Sequence, residues 1–107
     1  MDSIKISVLN DFGEFPAGRF HPADGEYTGE RFRNELLVPN LQKYKKVIVV
    51  LDNDEGYGSS FLDEAFGGLV RANSINKDWL HEHLSIESSD ENKTYIAEVW
   101  DDIDKAN

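Results

Sequence analysis

Three groups of side chains have the type and spacing to do chemistry. The densest lies in the stretch Val47–Val70, VIVVLDNDEGYGSSFLDEAFGGLV. There an apolar run ends at Asp52, Asp54 and Glu55 follow, and Gly56-Tyr57-Gly58 leads into Ser59 and Ser60. Carboxylates at the end of a strand are hard oxygen donors suited to Mg²⁺ or Ca²⁺. In an Asp-x-Asp arrangement they also suit phosphotransfer through an aspartyl nucleophile. The chain is short for such an enzyme, and a receiver-type phosphoacceptor lacks its early acidic pair. An EF-hand fails because Tyr57 stands where the loop requires glycine. The acidic group Asp52, Asp54 and Glu55 therefore reads as a solvated loop. His81 and His83 are two residues apart, so they do not share a helical face as paired metal ligands would. With no cysteine, thiolate metal sites and cysteine nucleophiles are excluded.

The serines leave two readings open. At a helix N-terminus a serine hydroxyl accepts from an orphan backbone N–H and is simply a cap. The same position suits a phosphate, either received by Ser59 or Ser60 or held by the turn as part of a ligand. Tyr57, in a glycine-flanked turn, reads as an exposed interface anchor. Asp63 and Glu64 extend the negative charge along the first helical turn. The expected partner-binding surface is thus Asp54, Glu55, Gly56, Tyr57, Gly58, Asp63 and Glu64.

These residues need elements to position them. Residues 4–9 alternate apolar and polar, as a half-buried strand does. Asp11–Gly29 is rich in Gly, Pro and Asp and reads as loop, with a short strand near Arg19–Phe20. Thr28 is placed to cap a helix carrying Phe32, Leu36 and Leu37, with Pro39 limiting its length. Lys46–Leu51 is a β-branched run, the pattern of a strand covered on both faces. Ser60–Ala72 has Phe61, Leu62, Ala65, Phe66, Leu69 and Val70 on one helical face. Its Gly67–Gly68 pair costs roughly 1 kcal/mol per glycine, which close packing against the sheet would offset. A short helix at Lys77–His83 and a strand at Leu84–Glu87 follow. Ser88 and Glu91 have capping-box spacing. They open a last helix bearing Tyr95, Ile96, Val99, Trp100 and Ile103. This alternation implies an α/β fold with βαβ units and about four strands.

Composition narrows the partners. The chain has 107 residues, 39% hydrophobic, and a net charge of −10. Length and content point to a single domain spanning 1–107. The scattered basic residues argue against nucleic acid, which requires clustered Lys and Arg. Anionic membranes are disfavoured for the same reason, and the longest apolar run, Val47–Leu51, is far below the ~20 residues of a membrane span. No leader precedes Ile4, so a cytoplasmic location is expected. No cofactor is implied.

The motifs resemble the STAS domain of anti-sigma factor antagonists. There a buried strand ends in Leu-Asp or Leu-Asn, a loop leads to Asp-Ser-Ser-Gly, and a helix continues Leu-Gly-x-Leu. Here the run is Leu51-Asp52, Gly58-Ser59-Ser60-Phe61 and Gly67-Gly68-Leu69. Gly58 replaces the aspartate and Phe61 the glycine. The chain is more similar still to a STAS-like bacterial family of unknown function, through Thr28-Gly29-Glu30-Arg31-Phe32-Arg33 and Gly56 through Leu69. The resemblance implies a STAS-like mixed sheet with helices packed on it. It also implies a non-catalytic signalling role of partner-switching type. Ser59 would be phosphorylated by a histidine-kinase-like ATPase of the anti-sigma type. The alternative is a small-molecule or nucleotide-sensing accessory domain in which Gly56–Ser60 holds a ligand phosphate.

Overall fold

The apolar runs form an all-parallel sheet of three strands in the order β1 (Ser3–Ser7), β2 (Lys46–Val50) and β3 (Leu84–Glu87). The structure is a computed structural model describing residues 2–89 and 92–107. β1 pairs with β2 from Ser3↔Lys46 to Ser7↔Val50, and β2 with β3 from Val47↔Leu84 to Val50↔Glu87. The β-branched run is therefore the central strand. The sheet is parallel where a mixed one was expected, and among the described residues it has three strands where about four were expected. Arg19–Phe20 is a bend, not a strand. Both backbone N–H groups there donate to Asp24 Oδ2, at 3.2 and 2.9 Å. That local turn takes the donors a sheet ladder would need.

Register puts Ile4, Val47 and Leu84, then Ile6, Val49 and Ile86, on the face toward the helices. Lys5, Ile48 and Ser85, then Ser7, Val50 and Glu87, lie on the opposite face. Val47 and Val49 are fully buried, whereas Ile48 and Val50 are only half-buried. The expectation of equal cover on both faces is corrected accordingly. On the barer face a Lys5 Nζ–Glu87 Oε1 ion pair of 3.3 Å spans from β1 to β3 over the central strand.

Helix α1 is continuous through Gly29–Phe32, a π-type turn Arg33–Leu37, and Val38–Lys43. Thr28 caps it, its hydroxyl accepting from Arg31 N–H at 3.3 Å. The helix runs past Pro39, contrary to expectation. In the wide turn Val38 N–H bonds Arg33 O, five residues back. This relieves the clash a proline ring makes with the carbonyl four residues earlier. Helix α2 likewise comprises Ser59–Leu62, a π-type turn Asp63–Gly67, and Gly68–Arg71. Helix α3 spans Lys77–His83 and α4 spans Thr94–Lys105. α4 starts later than the capping-box spacing implies. Its N-cap, Lys93, makes no side-chain cap bond, and Ser88 Oγ donates locally to Ser89 O. Glu91 lies outside the described residues.

The core joins Phe32 and Leu37 of α1, Phe61, Leu62, Ala65, Phe66 and Leu69 of α2, and Val99 and Ile103 of α4. Val70 stays half-buried. α1 and α2 meet through glycine. A Cβ on Gly29 would lie 2.6 Å from Phe61 O and 2.8 Å from Ala65 N. A Cβ on Gly68 would overlap the Arg33 guanidinium, and one on Gly67 would crowd Asp63, Arg71 and the Asp102 carbonyl. The glycine pair thus packs against α1 and α4, not against the sheet. The space it leaves is occupied by a buried arginine.

Candidate functional site

The turn between β2 and α2 is built by hydrogen bonds from its own polar side chains. Asp52 Oδ1 accepts from Ser89 N–H at 2.5 Å and ties the exits of β2 and β3 together. Asn53 is only 5% exposed. Its Oδ1 accepts from Glu55 N–H at 2.9 Å, and its Nδ2 donates to Glu14 O at 3.0 Å. One side chain therefore fixes the acidic turn to the loop that follows the π-type turn Val8–Phe12 after β1. Gly56 has φ of +75°, and any side chain there would strike Tyr95 Oη. The backbone conformation is the one that favours glycine at that position.

The serines do not cap α2. The N-cap is Gly58, in extended conformation and with no side-chain cap bond, and Ser59 and Ser60 are the first two helical residues. Ser59 is exposed and Ser60 half-buried. The capping reading is corrected by one position.

Facing the turn, Phe15, Pro16 and Ala17 form the second wall of an open cleft of about 420 Å³, which Tyr95 also lines. A more polar cleft of about 300 Å³ adjoins it, lined by Asp54 and Glu55 among others. Phe15 is 64% exposed. Tyr57, expected to be the exposed aromatic, is half-buried instead. Its ring stacks on Phe61 with centroids 6.0 Å apart and meets Tyr95 edge-on at 5.3 Å. Its Oη is buried without a hydrogen bond. Burial pushes the phenol up to about 12, with the neighbouring Asn53 amide acting against the rise.

Asp63 and Glu64 are likewise not an exposed acidic patch. Glu64 is 6% exposed and Arg33 4%; Arg33 Nη1 donates to Glu64 Oε2 at 2.8 Å and to the Glu64 carbonyl at 2.5 Å. Asp63 accepts from Arg19 at 2.7 Å and from Arg71 at 3.1 Å. Burial works to raise the Asp63 pKa, but the hydrogen bonds from Arg19 and Arg71 outweigh it and hold the carboxyl below its ordinary value. The Asp63 hydrogen bond, foremost, raises the pKa of Arg19. Three arginines thus neutralise the two acids, and Arg19 anchors the loop bearing Phe15 to α2.

Asp54 and Glu55 remain exposed, with no ion pair among the described residues. No group of three His, Cys, Asp or Glu among the described residues is arranged to hold a metal ion. The histidines point to different elements. His81 Nε2 lies 2.7 Å from Asp104 Oδ1, and His83 Nδ1 lies 2.6 Å from Lys45 O. No helix among the described residues is long and apolar enough to cross a membrane.

Sequence reasoning missed Asn53, Phe15 and Tyr95. Asn53 carried a usable signal, since asparagine two residues before a free N–H commonly closes such a turn. Phe15 and Tyr95 are remote in sequence and carried none.

A family model described as a STAS-like domain of unknown function matches residues 28–94. No curated protein and no solved structure gives a significant match.

Proposed function

We propose that this chain, which belongs to the STAS-like family of unknown function, is a non-catalytic cytoplasmic regulatory module. It binds another protein at the β2–α2 turn and changes partner when Ser59 is phosphorylated. The observation that carries this reading is the exposed Ser59 in the first turn of α2, behind a glycine that supplies no cap. A phosphate there meets backbone N–H groups that no side chain satisfies and the positive end of the helix dipole. It also adds about −1.5 to −2 charge beside two unpaired carboxylates, which changes which partner surface fits. A histidine-kinase-like ATPase of the anti-sigma type is the partner class the resemblance suggests.

The test is affinity capture with cross-linking from the native host, using wild type, Ser59→Ala and Ser59→Asp. Circular dichroism first confirms that all three are folded. Wild type and Ser59→Ala should recover one protein cross-linked at residues 54–60 that Ser59→Asp loses, and Ser59 should carry phosphate in the wild type. Equal recovery by all three, with no phosphate on Ser59 or Ser60, refutes the switch. The alternative, a ligand phosphate held by Gly56–Ser60, is disfavoured by Asp54 and Glu55 and by the absence of Lys or Arg among the described residues that line the clefts. Stabilisation by a nucleotide in a thermal-shift screen would reverse that preference.

A further inference from the structure

The cleft between Phe15 and Tyr95 has a chemistry of its own. Phe15 projects its ring into solvent from a segment that is held in place. Asn53 Nδ2 grips the carbonyl of Glu14, Ala17 N–H bonds Tyr27 O at 2.9 Å, and Arg19 bonds Asp63. A large apolar side chain on a fixed wall loses little entropy when a partner covers it. The floor is open as well. A Cβ at Gly58 would meet nothing within 4 Å, and its φ of −78° suits any residue, so neither crowding nor backbone conformation requires glycine there.

The charge around the cleft has one sign. Glu55 lines it, and Asp54 and Glu14 are exposed beside it; none of the three is ion-paired among the described residues. By contrast, Glu26, Glu35, Asp63 and Glu64 all face arginines. Among the described residues, no Lys or Arg lines the cleft or its polar neighbour. The net charge of −10 strengthens the field at this point. An aromatic wall with unpaired carboxylates at its rim attracts a cation over the ring face. Arginine fits better than lysine, because its planar guanidinium stacks on an aromatic while bonding a carboxylate bidentately. The chain already uses this contact internally, where the Arg31 guanidinium sits over Phe12 and Tyr27 at 5.7 and 5.8 Å from the ring centroids.

We propose that this cleft is the receptor for an arginine side chain presented by a basic segment of the partner protein, stacked on Phe15 and paired with Glu55. This rests on the protein-binding reading above and names the chemistry that reading leaves open.

The test is an NMR titration of the full chain with acetyl-Arg-Arg-Arg-amide, with the tri-lysine and tri-glutamate peptides as comparisons. Shifts should concentrate at Phe15, Glu55–Gly58 and Tyr95, with tri-lysine weaker and tri-glutamate silent. Phe15→Ala leaves the charge unchanged and Glu55→Gln leaves the size unchanged; each should weaken binding about fivefold. Asp2→Asn, which removes one exposed charge elsewhere, should not change it. Unaltered binding by Phe15→Ala, or shifts spread over other acidic surface, overturns the proposal. If the peptide binds here but capture shows no Ser59-dependent partner, the phosphoserine switch fails and the arginine receptor stands. If capture succeeds and the peptide does not bind, only the arginine receptor fails.

Discussion

Gly68→Ala should destabilise the protein, although alanine is the better helix former. In an unobstructed helix the exchange gains roughly 1 kcal/mol. Here the new methyl would occupy the space of the Arg33 guanidinium. That group is buried and bonded to both the carboxylate and the carbonyl of Glu64, so its retreat is not free. Overpacking that merely shifts it costs about 1–3 kcal/mol. Expelling it leaves Glu64 buried without its closest cation, a loss of about 3–5 kcal/mol. Set against the helix gain, the expected net loss is about 0–2 kcal/mol if the guanidinium shifts and about 2–4 kcal/mol if it is expelled, read as a lower urea midpoint at unchanged slope. The decisive arm repeats the exchange in an Arg33→Met background. With the guanidinium gone, Gly68→Ala should be neutral or stabilising there, an interaction energy of about 1 kcal/mol or more. The same change in both backgrounds, or a gain in the wild type, refutes the account of Gly68 as the space reserved for Arg33.

Burial first, then Asp63, Glu98 and Asp101, pushes the Asp102 carboxyl up to about 6 against the pull of Arg71, and its Oδ2 is buried without a hydrogen bond. The folded state therefore holds this proton more tightly than the unfolded chain, and stability from this group is lost as pH rises from about 4 to about 6. Asp102→Asn should match wild type below pH ~4 and exceed it above pH ~6 by about 1 kcal/mol, after discounting for solvent screening; a pH series of urea melts decides it. Asn53→Ala should cost about 1–3 kcal/mol through the groups it leaves unpaired, and hydrogen exchange at Glu55 N–H should quicken; an unchanged rate would show that Asn53 does not set the turn. Thr28→Ala should cost about 1 kcal/mol through loss of the α1 cap, measured by chemical denaturation.

Local pattern was enough for the elements that bury one clear stripe. The β-branched run at Lys46–Leu51, the apolar face of Ser60–Ala72 and the Thr28 cap each carry their reason within a few residues. Lys77–His83 and Leu84–Glu87 were legible in the same way. Pro39 was misleading because the remedy, a wide turn five residues long, sits upstream of the proline and leaves no composition signal. The short strand expected near Arg19–Phe20 does not form because Asp24, a single side chain, takes the N–H groups of both residues.

The candidate site divides along the same line. The sequence alone determined that an acidic, glycine-flanked turn joins a central strand to a helix and presents a serine at its start. Only the tertiary structure decided which of those groups face solvent. Asp63 and Glu64 look like surface acids until three arginines, one fourteen residues before the next on the chain and the last beyond α2's wide turn, converge on them. Tyr57 looks like an anchor until Phe61 and Tyr95 enclose it, while Phe15 takes the exposed place. Burial and ion pairing depend on what arrives from distant segments, and that is set by how α1, α2 and α4 pack, not by the residues next door.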